Sequence, residues 1–206
     1  MVPFTGIGAT IAKWNSRAPG GLQRFNPNDT PLNSTQIREI FEPSDGKFDS
    51  FDHYRFLVRH DWRPLANHTY ELEGVVFRTD NLGRTSSVSG SVDPNRNVGR
   101  ISGFDTELGQ QAGSVNGDIG FHLGADQLGF PGGPLNVLPG NGILNNGAYG
   151  ALEDQIRGLH DAGVNVQVLF QPIYNPGNIS PRPDSFIVRY REVGGEWITS
   201  PTFTNN

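Results

Sequence analysis

The chain has 206 residues, 35% of them hydrophobic, with 27 Gly, 15 Pro, no Cys and a formal charge of −5. That length suits one domain with a real core, and the Gly and Pro content predicts long loops with modest regular structure. The lack of Cys excludes disulfides and thiolate metal sites, no apolar run approaches the roughly 18 residues of a membrane span, and the net negative charge gives no support to nucleic-acid capture by bulk attraction.

Residues 1 to about 50 read as irregular, with turn formers at Pro19-Gly20-Gly21 and Asn26-Pro27-Asn28-Asp29 and one or two helical turns over 34–41. The N-terminus has neither a basic n-region nor a long apolar core, so no signal peptide is expected. Thr69–Leu72 and Val75–Arg78 flank Glu73-Gly74, which predicts two strands about a tight turn. Asp80-Asn81-Leu82-Gly83 predicts another turn, and 87–92 the next strand of a meander. Residues 113–142 are rich in Gly, Pro and Asn and predict a loop with a short strand near His122. Ala148, Tyr149, Leu152, Ile156 and Leu159 recur at helical spacing and predict a helix over 146–162, with Asn145 suited to the N-cap and Gly163 to the stop. Strands follow over 164–170 and 186–190, and Gly194-Gly195 turns the chain into Trp197-Ile198-Thr199. The sum is an α+β, loop-rich fold: an antiparallel sheet with one principal helix.

Arginine supplies all but two of the 16 basic residues. Seven fall within residues 55–100 against five acids, whereas 101–156 contain no Lys or Arg. Arginine forks onto phosphate in bidentate fashion, although scattered surface charge is the plainer reading of the same count. On a helical wheel Leu152, Ile156 and Leu159 share one stripe within about 60°, and Glu153 and Arg157 fall beside it. Asn145, Glu153 and Arg157 are thus expected to line one wall of a cleft without entering the core. Phosphodiester hydrolysis needs a base for water, a cation for the developing charge and a donor for phosphate oxygens. One His, one Asn, one Glu and one Arg supply those parts. The plainer readings are a structural His122, an Asn145 that only caps, and a Glu153–Arg157 pair worth a few tenths of a kcal/mol on a solvated face. His53, His60, His68 and His160 have no partner pattern, and Phe121, Phe130 and Tyr149 read as packing residues.

Leu144-Asn145-Asn146-Gly147-Ala148-Tyr149, with Glu153 eight and Arg157 twelve residues after Asn145, resembles the catalytic helix of the DNA/RNA non-specific endonucleases, the ββα-metal or His-Me finger nucleases. Asn136-Val137-Leu138-Pro139 and Asp118-Ile119-Gly120-Phe121-His122-Leu123 resemble the family's Asn-turn and His elements. Thr79-Asp80-Asn81-Leu82-Gly83-Arg84 and the late strands resemble its bacterial polymorphic-toxin branch. The chain departs from the pattern in having Phe121 directly before His122, no Arg in the His motif, and Gly140 where many members have Gln.

The resemblance implies a ββα-metal domain over 56–206 preceded by an irregular arm or linker over 1–55. It implies His122 as general base, Asn145 as direct Mg²⁺ ligand (Mn²⁺ possible in its place), Glu153 acting on the metal through water, and Arg157 on phosphate. Arg84, Arg96 or Arg100 would supplement Arg157, with Asp118 and Asn136 as structural support. The implied activity is sequence-non-specific cleavage of DNA, and of RNA as well, by an antibacterial toxin domain. Such a domain has a cognate immunity protein, no membrane partner, and reaches a target cell by secretion or specialised delivery. A nutrient or DNA-uptake nuclease, a catalytically inactive binding module on the same fold and a glycan-binding β-domain are the alternatives.

Overall fold

The computed structural model describes residues 34–206. Helix α1 (Ser34–Phe41), strand β1 (Lys47–Phe48) and helix α2 (Phe51–Arg59) lead into a meander of β2 (Thr69–Leu72), β3 (Val75–Thr79) and β4 (Thr85–Ser91). A short helix α3 (Phe104–Leu108), a hairpin of β5 (Asp118–His122) and β6 (Val137–Asn141), and helix α4 (Gly150–Asp161) follow. The chain ends in β7 (Val166–Ile173), β8 (Ser185–Glu192), β9 (Ile198–Thr199) and β10 (Phe203–Thr204). The main sheet runs β1-β2-β3-β4-β7-β8-β10, with β9 also on β8, and only β1–β2 is parallel. The hairpin β5–β6 is a separate two-stranded sheet. No described helix is long and apolar enough to cross a membrane.

Period-two alternation makes the sheet one-sided. Tyr70 pairs with Phe77, Phe77 with Val88, Val88 with Phe170, and Phe170 with Val188, so one inward row crosses five strands. All five side chains are fully buried. The Glu73-Gly74 turn has both residues at positive φ, 49° and 77°, as a two-residue hairpin joining right-twisted strands requires. The expected meander, its turns and the late strands are all present.

Three elements differ from the sequence expectation. Helix α2 was not anticipated; Ser50 caps it and Phe51, Tyr54, Leu57 and Val58 form its buried face. Of the expected N-terminal arm, residues 34–55 contribute Ile37, Phe48, Phe51 and Tyr54 to the common core, and the expected boundary at 55/56 falls within α2. Residues 1–33, with their expected turns, lie outside the described residues. Strand β6 replaces part of what read as loop from its Gly, Pro and Asn content, and it contains Pro139, a residue that sheets confine to edges. Pro139 pairs with Gly120 across the hairpin, and its carbonyl faces the outer edge of β6, where it accepts from Asn205 Nδ2 at 3.4 Å, so no ladder bond is lost to the missing N–H.

Two glycines fix how β5 sits. A Cβ on Gly140 would lie 2.7 Å from the Phe121 ring, which stacks on Phe186 at 4.5 Å. Gly140 therefore makes room for Phe121, which is why this chain can place a phenylalanine directly before His122. A Cβ on Gly120 would lie 2.0 Å from the Asp105 carbonyl oxygen. Its absence lets α3 close onto β5.

Candidate active site

The principal helix does not begin as expected. Asn141, not Asn145, accepts from a backbone amide (Leu144, 2.9 Å) and caps a single helical turn over 142–144. Residues Asn145–Tyr149 then form a π-turn, broken at Gly147 (φ −109°, ψ −115°), before α4 starts. The Gly150 amide donates to the Asn145 carbonyl, and a Cβ at Gly150 would come within 2.8 Å of that oxygen. Such π-turns concentrate at functional sites. Here the turn settles a conflict: Asn145 has no capping duty. Its amide nitrogen faces Asn146 Oδ1 at 3.4 Å, and its oxygen stays uncommitted to the backbone. Gly163, at φ 87°, ends the helix as expected.

Asn145 lines a cleft of about 610 Å³ together with Glu153, Asp154, Asp126, Arg96 and Arg100. The helical wheel put Glu153 beside the buried stripe and outside the core. Glu153 is in fact buried at 7% exposure: it keeps its place beside Ile156 on the helix, and the turn at Ala125, whose backbone amide it meets, covers that flank as well. Its Oε1 has no hydrogen-bond partner. Burial pushes the carboxyl up to about 8; the Ala125 backbone amide offsets part of this, and the charge of Asp154 adds to it. A buried, unpartnered carboxylate oxygen in a cleft, near an uncommitted amide oxygen, is a donor set that suits a hard cation. No group of three or more His, Cys, Asp or Glu that could hold a metal occurs among the described residues, so a cation here would keep much of its own hydration.

His122 ends β5 and is not among the cleft-lining residues; Ala125, three residues on, is. Asn136 holds the intervening turn. It is fully buried, its Oδ1 accepts from the Gly124 amide at 3.0 Å, and its Nδ2 donates to Gly124 and Pro131 carbonyls, both at 2.8 Å. Tyr149 ties this turn to the π-turn by donating to the Leu123 carbonyl at 2.6 Å, with its ring against Phe121 at 4.7 Å. The packing roles expected for Phe121, Phe130 and Tyr149 hold; all three are fully buried. Asp118 lies at the far end of β5, clamped by Arg182 at 2.7 and 3.0 Å.

The arginines divide. Arg84 is not available to substrate: it pairs with Asp80 at 2.6 Å, donates to the Asn178 and Ser180 carbonyls and stacks on Tyr174 at 3.8 Å. The Thr79–Arg84 element is thus a latch between the meander and the loop after β7. Arg96 lines the cleft, but Nη1 and Nη2 hold the Gly129 and Ser91 carbonyls. Arg157 does not line the cleft. Its Nε holds Asp161 at 2.8 Å and its Nη1 the Gln127 carbonyl at 2.9 Å, which leaves Nη2 for any phosphate. Arg100 also lines the cleft, with a side chain 67% exposed and only a loose 3.9 Å approach to Asp126.

One residue near His122 escaped the sequence reading. Asp105, on α3, is buried and places Oδ2 3.4 Å from His122 Nε2. It lies seventeen residues before the histidine, in no motif, and its neighbours give no signal.

A family model for DNA/RNA non-specific endonucleases matches residues 66–194. No curated protein matches the chain. Among solved structures, magnesium-bound NucA from Streptococcus agalactiae aligns with a TM-score of 0.50 and 18% identity, over 68% of this chain and 71% of that one. Metal-free NucA from the same organism gives 0.47 and 16%, over 68% and 83%. The Sda1 nuclease with bound zinc gives 0.44 and 12%, over 64% and 76%. The likeness to magnesium-bound NucA is one of fold. The family match spans the meander, the β5–β6–α4 unit and β7–β8, and on that extent the chain belongs to the DNA/RNA non-specific endonucleases.

Proposed function

We propose that this endonuclease hydrolyses DNA and RNA phosphodiesters without sequence preference, using Mg²⁺ (or Mn²⁺) held at Asn145 with Glu153 behind it. The observation that carries this reading is the pairing of an uncommitted Asn145 oxygen with the buried, unpartnered Glu153 Oε1 on one cleft. The magnesium in NucA and the zinc in Sda1 belong to those proteins, and a divalent cation is extended to this chain as part of the proposal. When bound, the cation supplies charge stabilisation at the phosphate and the leaving oxygen.

His122 takes a proton from water. The resulting hydroxide forms a bond to phosphorus in line, the bond to the 3′ oxygen breaks with its electron pair going to that oxygen, which takes a proton from solvent water, and a 5′-phosphate is left. With a cation bound, Glu153 would be ionised and would orient the hydration around it. Arg100 meets the phosphate backbone at the cleft mouth, and contacts of that kind carry no base identity. Plasmid and RNA incubated with purified protein should be cut with Mg²⁺ and left whole with EDTA. Intact substrate across several divalent metals would make the chain a binding module on a nuclease fold.

Arg100→Ala should weaken binding uniformly across sequences. It should also lower the slope of log K against log salt by about one, read by fluorescence anisotropy in Ca²⁺.

A toxin role, with an immunity protein as partner and delivery into a target cell, is supported by the resemblance of Thr79–Arg84 and the late strands. Expression in a bacterial cytoplasm should then arrest growth, and His122→Ala should relieve it. A nutrient nuclease is the alternative that harmless expression of active enzyme would favour.

A further inference from the structure

We propose that Asp105 is a positioning residue for His122, holding the imidazole in the one tautomer that can act on water. This rests on His122 being the general base. Three observations carry it. First, His122 Nε2 is sealed from solvent and has no hydrogen-bond partner, and the polar atom facing it is Asp105 Oδ2, at 3.4 Å. Second, Asp105 is itself fixed: Oδ2 accepts from the Ile101 amide at 3.0 Å and Oδ1 from the Gly133 amide at 2.7 Å. Two backbone donors fix the position and orientation of the carboxylate in a buried place. Third, the approach is built into the fold. Gly120 admits the Asp105 backbone against β5, and a Cβ on Gly132 would lie 2.4 Å from Asp105 Oδ2.

The chemical consequence follows from proton placement. A carboxylate facing Nε2 favours the tautomer with its proton on Nε2, so Nδ1 keeps its lone pair. Of the two ring nitrogens only Nε2 is sealed. In the reaction a water O–H bond breaks, its proton bonds to Nδ1, and the Nε2 proton stays facing Asp105. The carboxylate is not protonated in the step; it stabilises the imidazolium and returns the same tautomer when Nδ1 is deprotonated. Nδ1 protonated and Nε2 bare would leave no base and would set two acceptors against each other.

Two experiments on the full chain test this. In the unmodified protein without metal, above the pH at which the ring is charged, the ring nitrogens of His122 in ¹⁵N NMR should show a protonated Nε2 and a bare Nδ1. A protonated Nδ1 overturns the proposal without any variant having to fold. Then kcat and KM for nicking are measured for Asp105→Asn, His122→Ala and the double variant. Asp105→Asn should lower kcat by roughly 10–100-fold, as loss of an orienting carboxylate does, with KM within about twofold. It should cost nothing further once His122 is gone. An unchanged kcat, or an equal loss in the His122→Ala background, would show that Asp105 does not act through the histidine. Full activity in His122→Ala alone is a different failure, that of the base assignment itself.

Discussion

His122→Ala should lower kcat for plasmid nicking by about 10²–10⁴-fold, the usual worth of a placed general base, while KM changes little. The size follows from how the ring is held. Asn136 clamps the turn after it, Tyr149 fastens Leu123 to the π-turn, and Phe121 is locked between Phe186 and Tyr149. None of these contacts uses the imidazole, so the substitution removes the proposed base and leaves its frame. A cooperative thermal transition by circular dichroism checks that the fold survives. Cleavage at the wild-type rate by the folded variant would move the base elsewhere.

Glu153→Gln should abolish the pH sensitivity that Glu153 gives the metal-free protein. The folded carboxyl sits at about 8, against an ordinary value of 4.5, chiefly because burial disfavours its charge. Below 4.5 the group is protonated in both states and stability is complete. Between 4.5 and 8 the unfolded chain releases the proton and the folded one keeps it, so stability falls as pH rises, and it levels off above 8. The full loss is of order 5 kcal/mol, a large part of a domain's usual stability. In EDTA, the melting temperature of the wild type should drop between pH 5 and pH 9 by many degrees more than that of Glu153→Gln. The variant should also be the more stable of the two at pH 9. A divalent cation should reverse the order, since it stabilises the ionised carboxylate. Parallel pH profiles in EDTA would mean that Glu153 is solvated in the folded protein.

The meander and the late strands were legible because apolar and polar residues alternate along them and Gly-containing turns separate them. Helix α4 was legible from Leu152, Ile156 and Leu159, but its start was not: a π-turn keeps apolar spacing while shifting phase, and no residue type announces one. That is why Asn145 read as a cap; Glu153 read as a flank because the turn at Ala125 that covers it comes from elsewhere in the chain. Strand β6 was hidden by the Gly, Pro and Asn content around it, and α2 straddles the boundary expected at 55/56, where no element was expected. Among the arginines the count was legible and the commitments were not. Besides Asp80 and Asp161, each four residues away in sequence, Arg84 and Arg157 hold carbonyls that only the fold brings near, which leaves Arg100 as the most open of the candidates. Asp105 had no local signal at all, because its relation to His122 depends on Gly120 admitting one backbone against another.

Anomalous diffraction from a crystal soaked in Mn²⁺ tests the central claim most directly, that the Asn145–Glu153 cleft is the metal centre of the nuclease. One strong peak is expected within coordination distance of Asn145 Oδ1, on the cleft side of Glu153. A peak elsewhere, or an empty cleft in crystals of protein that cleaves DNA with Mn²⁺, would contradict it.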